Sequence, residues 1–158
     1  PVFIRSQCLL PDSGGAGRQR GGPATEVVFG PRHDPMTVSI MGGGTINPPQ
    51  GVLGGRDANH AYHGHIKTDG SEEFQPNGVM LTLGAGEFVR SIDNGGSGYG
   101  EPLSRKPEAV LEDVAEKFVT RETAEEVYGV VLSGSAEDGS LAIDGDATAA
   151  RRGAMVAE

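Results

Sequence analysis

Gly95-Gly96-Ser97-Gly98-Tyr99-Gly100-Glu101-Pro102 is the stretch on which the fold of this chain turns. A segment this rich in glycine offers almost no side chain to a core and weakens either a helix or a ladder. It therefore predicts a loop or a polyproline-II strand, and packed polyproline-II strands need glycine wherever their backbones approach each other. Gly14-Gly15-Ala16-Gly17, Gly42-Gly43-Gly44 and Gly54-Gly55 have the same character. The chain holds 26 glycines in 158 residues, more than twice the average share of about 7%. The clusters follow no strict three-residue period and are separated by ordinary sequence. Folded, closely packed backbone is the reading, not a low-complexity tail.

On the amino-terminal side of this stretch, short β-branched runs bounded by Gly, Pro and Asn predict strands. They are Val2-Phe3-Ile4, Thr25 to Phe29, Thr37 to Met41, Val79 to Leu83 and Glu87 to Ile92. On the carboxy-terminal side the composition turns charged and alanine-rich. Pro107 suits a first helical turn, and Val110, Leu111, Val114 and Phe118 share one face, which predicts a helix from Pro107 to about Lys117. Thr120 is the expected cap of a second helix, with Ala124, Val127 and Tyr128 inward and Gly129 as a left-handed stop. Val130-Val131-Leu132 predicts a strand, Asp138-Gly139 a tight turn before Leu141 to Ile143, and Asp146 the cap of a last helix through Met155. The predicted class is α+β: mainly β with glycine-rich polyproline-II or loop segments, plus two or three short helices in the carboxy-terminal third. A β-rich, glycine-rich region over residues 1–102 and a helical region over 103–158 are expected to form one domain.

Several classes of function are disfavoured by composition. A net charge of −9 gives nucleic acid and anionic membranes little to bind. No apolar run reaches the length of a membrane span, and no basic region followed by an apolar stretch opens the chain, so a soluble, cytoplasmic protein is expected. The single cysteine, Cys8, lies among Ile4, Leu9 and Leu10 and is expected to be a buried thiol without chemistry. The chain opens on Pro1, which fits either loss of an initiator Met or origin from something longer.

Candidate chemistry is sparse. Asp12-Ser13-Gly14-Gly15 looks superficially like a serine-protease nucleophile loop, but too few residues precede it for the base and acid that such a fold places upstream. The same loop, followed by Arg18 and Arg20 at alternating positions, is the better candidate for an anion site. Its glycines allow close backbone approach, and the arginines would offer charge-assisted forks to a carboxylate or phosphate. The competing reading is a tight turn whose arginines pair with neighbouring carboxylates. His60, His63 and His65 are spaced like metal ligands but lack a clear third ligand, so an exposed polar loop and no metal are expected there. No Lys-Ser or Lys-Thr follows the Gly95 stretch, and prolines stand where a phosphate-binding helix would start, so no nucleotide site is expected. The charged residues from Glu108 to Glu126 read as solvated helix faces.

Taken in order, Leu10 to Gly22 (LPDSGGAGRQRGG), Pro49 to Gly55 (PQGVLGG), Gly95 to Leu103 (GGSGYGEPL), Glu108 to Val114 and Glu126 to Leu132 resemble the carboxy-terminal region of the hydantoinase B/oxoprolinase family. The resemblance runs from about Leu9 to Met155. Two positions depart from it: Gln19 stands where the family shows an aromatic residue, and Ser97 where it shows a third glycine. It implies a barrel-like β region joined to a glycine-rich bundle. It also implies a component, small subunit or carboxy-terminal fragment, of an ATP-dependent cyclic-amide hydrolase. The alternatives are a small subunit of a related acetone- or acetophenone-type carboxylase, or a non-catalytic assembly module of either. The implied partners are a hydantoinase A-type ATP-binding subunit, a hydantoinase B-type remainder and a small-molecule substrate. ATP, Mg and a divalent metal are expected on those partner chains, with no cofactor bound by this one.

Overall fold

The computed structural model describes residues 2–157. Seven strands precede the helices: β1 (Val2–Leu9), β2 (Thr25–Pro31), β3 (Met36–Ile40), β4 (Tyr62–Ile66), β5 (Glu72–Phe74), β6 (Val79–Leu83) and β7 (Phe88–Ile92). A five-stranded sheet has the order β1-β2-β7-β4-β5, antiparallel throughout. β3 and β6 pair separately, and because β3 follows β2 and β6 leads into β7, they form a two-stranded arm on that central pair. The five strands predicted before the Gly95 stretch are all present, while the strand predicted over Val130 to Leu132 is found only at Leu132–Ser133. Both of the missed strands are polar: β4 carries Tyr62-His63-Gly64-His65-Ile66 and β5 is Glu72-Glu73-Phe74. The expected exposed loop at the histidines is therefore a strand for His63 and His65. The sheet is also open, with β1 and β5 at its edges, where the family resemblance implies a barrel.

Cys8 corrects a second expectation, because its thiol is exposed. The reason is its place on β1, an edge strand whose eight residues are all exposed, so that an apolar pattern is left without a covering layer.

Between sheet and helices, residues 13–22, 51–58 and 95–100 run as extended segments outside any ladder and cross-link through their backbones. Gly15 N–H donates to Gly96 O at 2.9 Å, Arg56 N–H to Ala16 O at 2.7 Å and Gly98 N–H to Arg56 O at 2.9 Å. Val52 N–H reaches Gly98 O at 3.0 Å, and Gly100 N–H reaches Val52 O at 2.8 Å. Glycine is required at these crossings. A Cβ on Gly15 would collide with the Arg56 carbonyl, and one on Gly98 with the Ala16 carbonyl.

The helical end comprises a 3-10 turn over Pro102–Ser104, α1 (Pro107–Ala115), α2 (Arg121–Glu126), a two-residue ladder of β8 (Leu132–Ser133) with β9 (Ala142–Ile143), and α3 (Gly145–Ala157). Thr120 caps α2 as predicted, its hydroxyl accepting from Thr123 N–H, and Gly129 takes the left-handed turn at φ +63°. The last helix starts earlier than predicted: Asp144 accepts from Ala147 N–H at 3.0 Å, so it and not Asp146 is the cap. Val110, Val114, Val119, Ala124, Tyr128 and Val130 form a buried cluster that includes Ala16 of the glycine bundle. Tyr128, Val110 and Val130 are fully buried, each stabilising the fold by about 1.5–3 kcal/mol. That cluster seats the first glycine segment against α1 and α2.

Candidate functional site

The Asp12 to Arg20 loop is built mostly from groups that satisfy one another. Asp12 adopts φ +58°, a left-handed conformation that Asp tolerates. Its carboxylate accepts from Thr120 N–H at 2.9 Å and from the Thr120 hydroxyl at 2.6 Å, tying the loop to the start of α2. Ser13 is buried, donating to Leu10 O at 2.6 Å and accepting from Ala24 N–H at 2.7 Å. Gly14 and Gly15 pack backbone to backbone. The N–H groups of Gly15, Arg18 and Gln19 donate to Gly96, Gly100 and Tyr99, so the bundle and not a ligand holds these amides.

The two arginines part company. Arg20 turns inward, where Nε lies 3.1 Å from Asp113 Oδ1 and its Cζ stands 5.1 Å from the Phe118 ring centroid. Asp113 also binds Arg105, its Oδ2 accepting from Nη2 at 2.8 Å and from Nε at 3.1 Å. The side chains are 8% exposed for Asp113 and 13% for each arginine, so one buried carboxylate serves two guanidinium groups. Asp113 thus departs from the solvated face predicted for Glu108 to Glu126. Arg105 spends its remaining fork on Arg18 O, at 3.1 Å from Nη1. Arg152 completes the layer, donating to Arg105 O at 2.8 Å and to Tyr128 O at 3.1 Å, and burial pulls its pKa down. Burial raises the Tyr128 phenol beside this layer.

Arg18 stays outside. Its guanidinium stacks 5.8 Å from the Tyr99 ring centroid and faces a cavity of about 470 Å³ lined by Arg18, Gln19, Ser104, Arg105, Lys106 and Ala109. Sequence reading placed only Arg18 of these in a site. A signal for the others was present: Arg105-Lys106 directly precede Pro107, so two cations sit at the positive end of α1, where acids are favoured.

The histidines are dispersed over separate partners. His60 Nδ1 is 3.1 Å from Thr45 O, His63 Nδ1 is 3.0 Å from Ser91 Oγ, and His65 Nε2 is 3.3 Å from Glu87 Oε1. Among the described residues no three His, Cys, Asp or Glu side chains converge as metal ligands. In the Gly95 stretch the N–H groups of Gly96, Gly98 and Gly100 donate to carbonyls within the bundle. No described helix is long and apolar enough to cross a membrane.

This combination of a mainly β body, a glycine-crossed bundle and a short helical end belongs to a recognisable class. The Hydantoinase B/oxoprolinase profile matches residues 1–102, and the chain is a member of that family. It is 36% identical to the caprolactamase subunit beta of Pseudomonas jessenii over 98% of this chain and 26% of that relative. It is 28% identical to the acetone carboxylase alpha subunit of Xanthobacter autotrophicus over 96% of this chain and 24% of that one. A crystal structure of ATP-dependent caprolactamase from Pseudomonas jessenii superposes with a TM-score of 0.79 at 33% identity, over 97% of this chain and 26% of its own. The chain spans about a quarter of the length of these relatives. The caprolactamase and acetone carboxylase relatives are both named as subunits.

Proposed function

We propose that this chain is a component of an ATP-dependent cyclic-amide hydrolase of the hydantoinase/oxoprolinase type and is inactive alone. The observation that carries this reading is the 36% identity over almost the whole chain to a caprolactamase subunit. Its partners are a hydantoinase A-type ATP-binding subunit and a hydantoinase B-type remainder, which supply ATP, Mg and the divalent metal. The apolar surface supports such company. Val2, Phe3, Ile4 and Leu9 on β1 are each about half exposed, and Leu53, at φ +51°, is 70% exposed. Exposed apolar side chains grouped on one edge strand, as on β1, suit an interaction face. Within the complex, the Asp12 to Arg20 loop lies near the substrate, with Arg18 as its anion-facing member, while Asp12, Ser13, Gly14, Gly15 and Arg20 hold the loop in shape.

The similarity to acetone carboxylase keeps ketone carboxylation as the second reading, and one experiment separates the two. The chain is co-expressed with the two partner types, and ATP hydrolysis is followed with caprolactam, hydantoin and 5-oxoproline, then with acetone and bicarbonate. Amide-dependent ATP turnover that needs this chain is expected. Turnover only with ketone and bicarbonate favours the carboxylase. Full amide-dependent turnover without the chain refutes its role as a component.

A further inference from the structure

The cavity beside Arg18 is one-sided in its chemistry. Among the described residues Arg18 and Lys106 have no carboxylate within ion-pair distance, and neither head group, nor the Gln19 carboxamide, makes a protein hydrogen bond. Ser104 adds no donor, because its hydroxyl is spent on Glu101 O at 2.6 Å. Arg105 also lines the cavity, and it shares its single carboxylate, Asp113, with Arg20, so two guanidinium groups are matched by one negative charge. In a chain of net charge −9 with only 13 Lys and Arg, such a concentration of cations is against the general field. It is also against the local one, since Arg105 and Lys106 precede the first turn of α1. A cation there loses about 0.3–1 kcal/mol to the helix dipole.

The cations are held ready. Gln19 and Tyr99 exchange N–H···O bonds at 3.0 Å in both directions, and Arg105 grips the Arg18 carbonyl while Asp113 clamps Arg105. Gly100, at φ +74°, leaves room for Arg18, whose Cβ would lie 3.2 Å from any Cβ placed there. The Arg18 Cζ lies 5.8 Å from the Tyr99 ring centroid, a cation–π contact that restrains the guanidinium while leaving its N–H groups without a protein partner among the described residues. Charge-assisted bonds from such a fork and an ammonium are the means by which proteins hold carboxylates and phosphates. The cavity, at about 470 Å³, is in the range of small-molecule sites, roughly 300–1,000 Å³.

We propose that this cavity is an oxyanion site, in which Arg18, Lys106 and Gln19 bind the phosphate or carboxylate group of a small organic molecule. It deepens the reading of Arg18 given under the proposed function and rests on that reading, but it requires no partner chain. Phosphate binding by the chain and turnover by the complex can therefore fail separately.

The full 158-residue chain is titrated calorimetrically at low salt with inorganic phosphate and, separately, with acetate. Thermal melting in phosphate serves as a second readout. Saturable binding is expected, with Arg18→Ala and Lys106→Ala each weakening it about tenfold and Gln19→Ala about threefold. Lys67, ion-paired with Glu73 and outside the cavity lining, is the control, and Lys67→Ala leaves binding unchanged. Phosphate raises the melting temperature of the parent chain but not that of the Arg18→Ala, Lys106→Ala double variant. Preference for phosphate or for acetate identifies which group the site takes. Absence of binding by the parent chain overturns the proposal, as does binding that survives the double variant or falls equally in Lys67→Ala. If neither anion binds while Arg18→Ala weakens association with the hydantoinase B-type remainder, the cations serve a partner's carboxylate and the oxyanion site does not exist.

Discussion

Asp113→Asn tests the clamp beneath the site. The substitution keeps the volume of a side chain that is 8% exposed but removes the only negative charge shared by Arg20 and Arg105, each 13% exposed. Breaking a buried pair by deleting one partner costs about 3–5 kcal/mol, because the remaining charge stays buried without compensation. Asparagine retains one acceptor, so the lower end applies, about 3 kcal/mol. Against a total stability of about 5–15 kcal/mol this is a large fraction. Urea denaturation followed by circular dichroism measures it, and the triple variant Arg20→Met, Asp113→Leu, Arg105→Met should recover most of the loss, since an apolar replacement leaves no charge stranded. Phosphate affinity should fall in Asp113→Asn as well, because Arg105 loses the partner that fixes it against Arg18 O. A cost below about 1 kcal/mol would refute the reasoning, since that is the scale of a solvent-screened surface pair.

The glycine crossings give a matched comparison: Gly98→Ala, whose Cβ meets the Ala16 carbonyl, should lower stability by about 2–3 kcal/mol or prevent folding, while Gly22→Ala, with nothing within 4 Å, should stay within about 0.5 kcal/mol. Similar melting temperatures for the two variants would remove the packing argument. Thr120→Ala deletes both the α2 cap and the hydroxyl bound to Asp12 and is expected to cost about 1–2 kcal/mol by urea denaturation. Hydrogen bonds from Ser140 hold the Asp138 carboxyl below its ordinary range, and Ser71 does the same for Asp69. Their stabilisation is present above the unfolded carboxylate pKa, near 3.9, and is lost as pH falls through the lower folded values. Carboxyl chemical shifts followed by NMR should show Ser140→Ala moving the Asp138 midpoint upward, and an unmoved midpoint would contradict the assignment.

Much of the fold was legible because its signals are local. Val79 to Leu83 alternates between faces, Pro107 opens α1, Thr120 caps α2 and Gly129 needs φ +63°, and each of these is decided within a few residues. β4 escaped because its strand character comes from pairing with β7 and β5, not from its residues: His63 lies opposite Ser91 and His65 opposite Val89. Cys8 and its neighbours misled for the converse reason. An apolar pattern shows that a surface prefers to be covered, and it does not show that this chain supplies the cover.

The site was half legible for a reason that belongs to charge pairing itself. Alternation places Arg18 and Arg20 on one face of an ideal strand, but the loop leaves the ladder after Leu9, and the two side chains end in different surroundings, Arg18 at Tyr99 and Arg20 at Asp113. What then separates the two arginines is a carboxylate 93 positions away from Arg20, on α1, in a stretch of charges that looks uniformly solvated. Asp113 differs from its acidic neighbours only by facing inward beside Val110 and Val114. Asp113 is taken by Arg20 and Arg105, and among the described residues no salt bridge pairs Arg18 or Lys106, so the positive charge left uncompensated beside the cavity is what the proposed anion would meet.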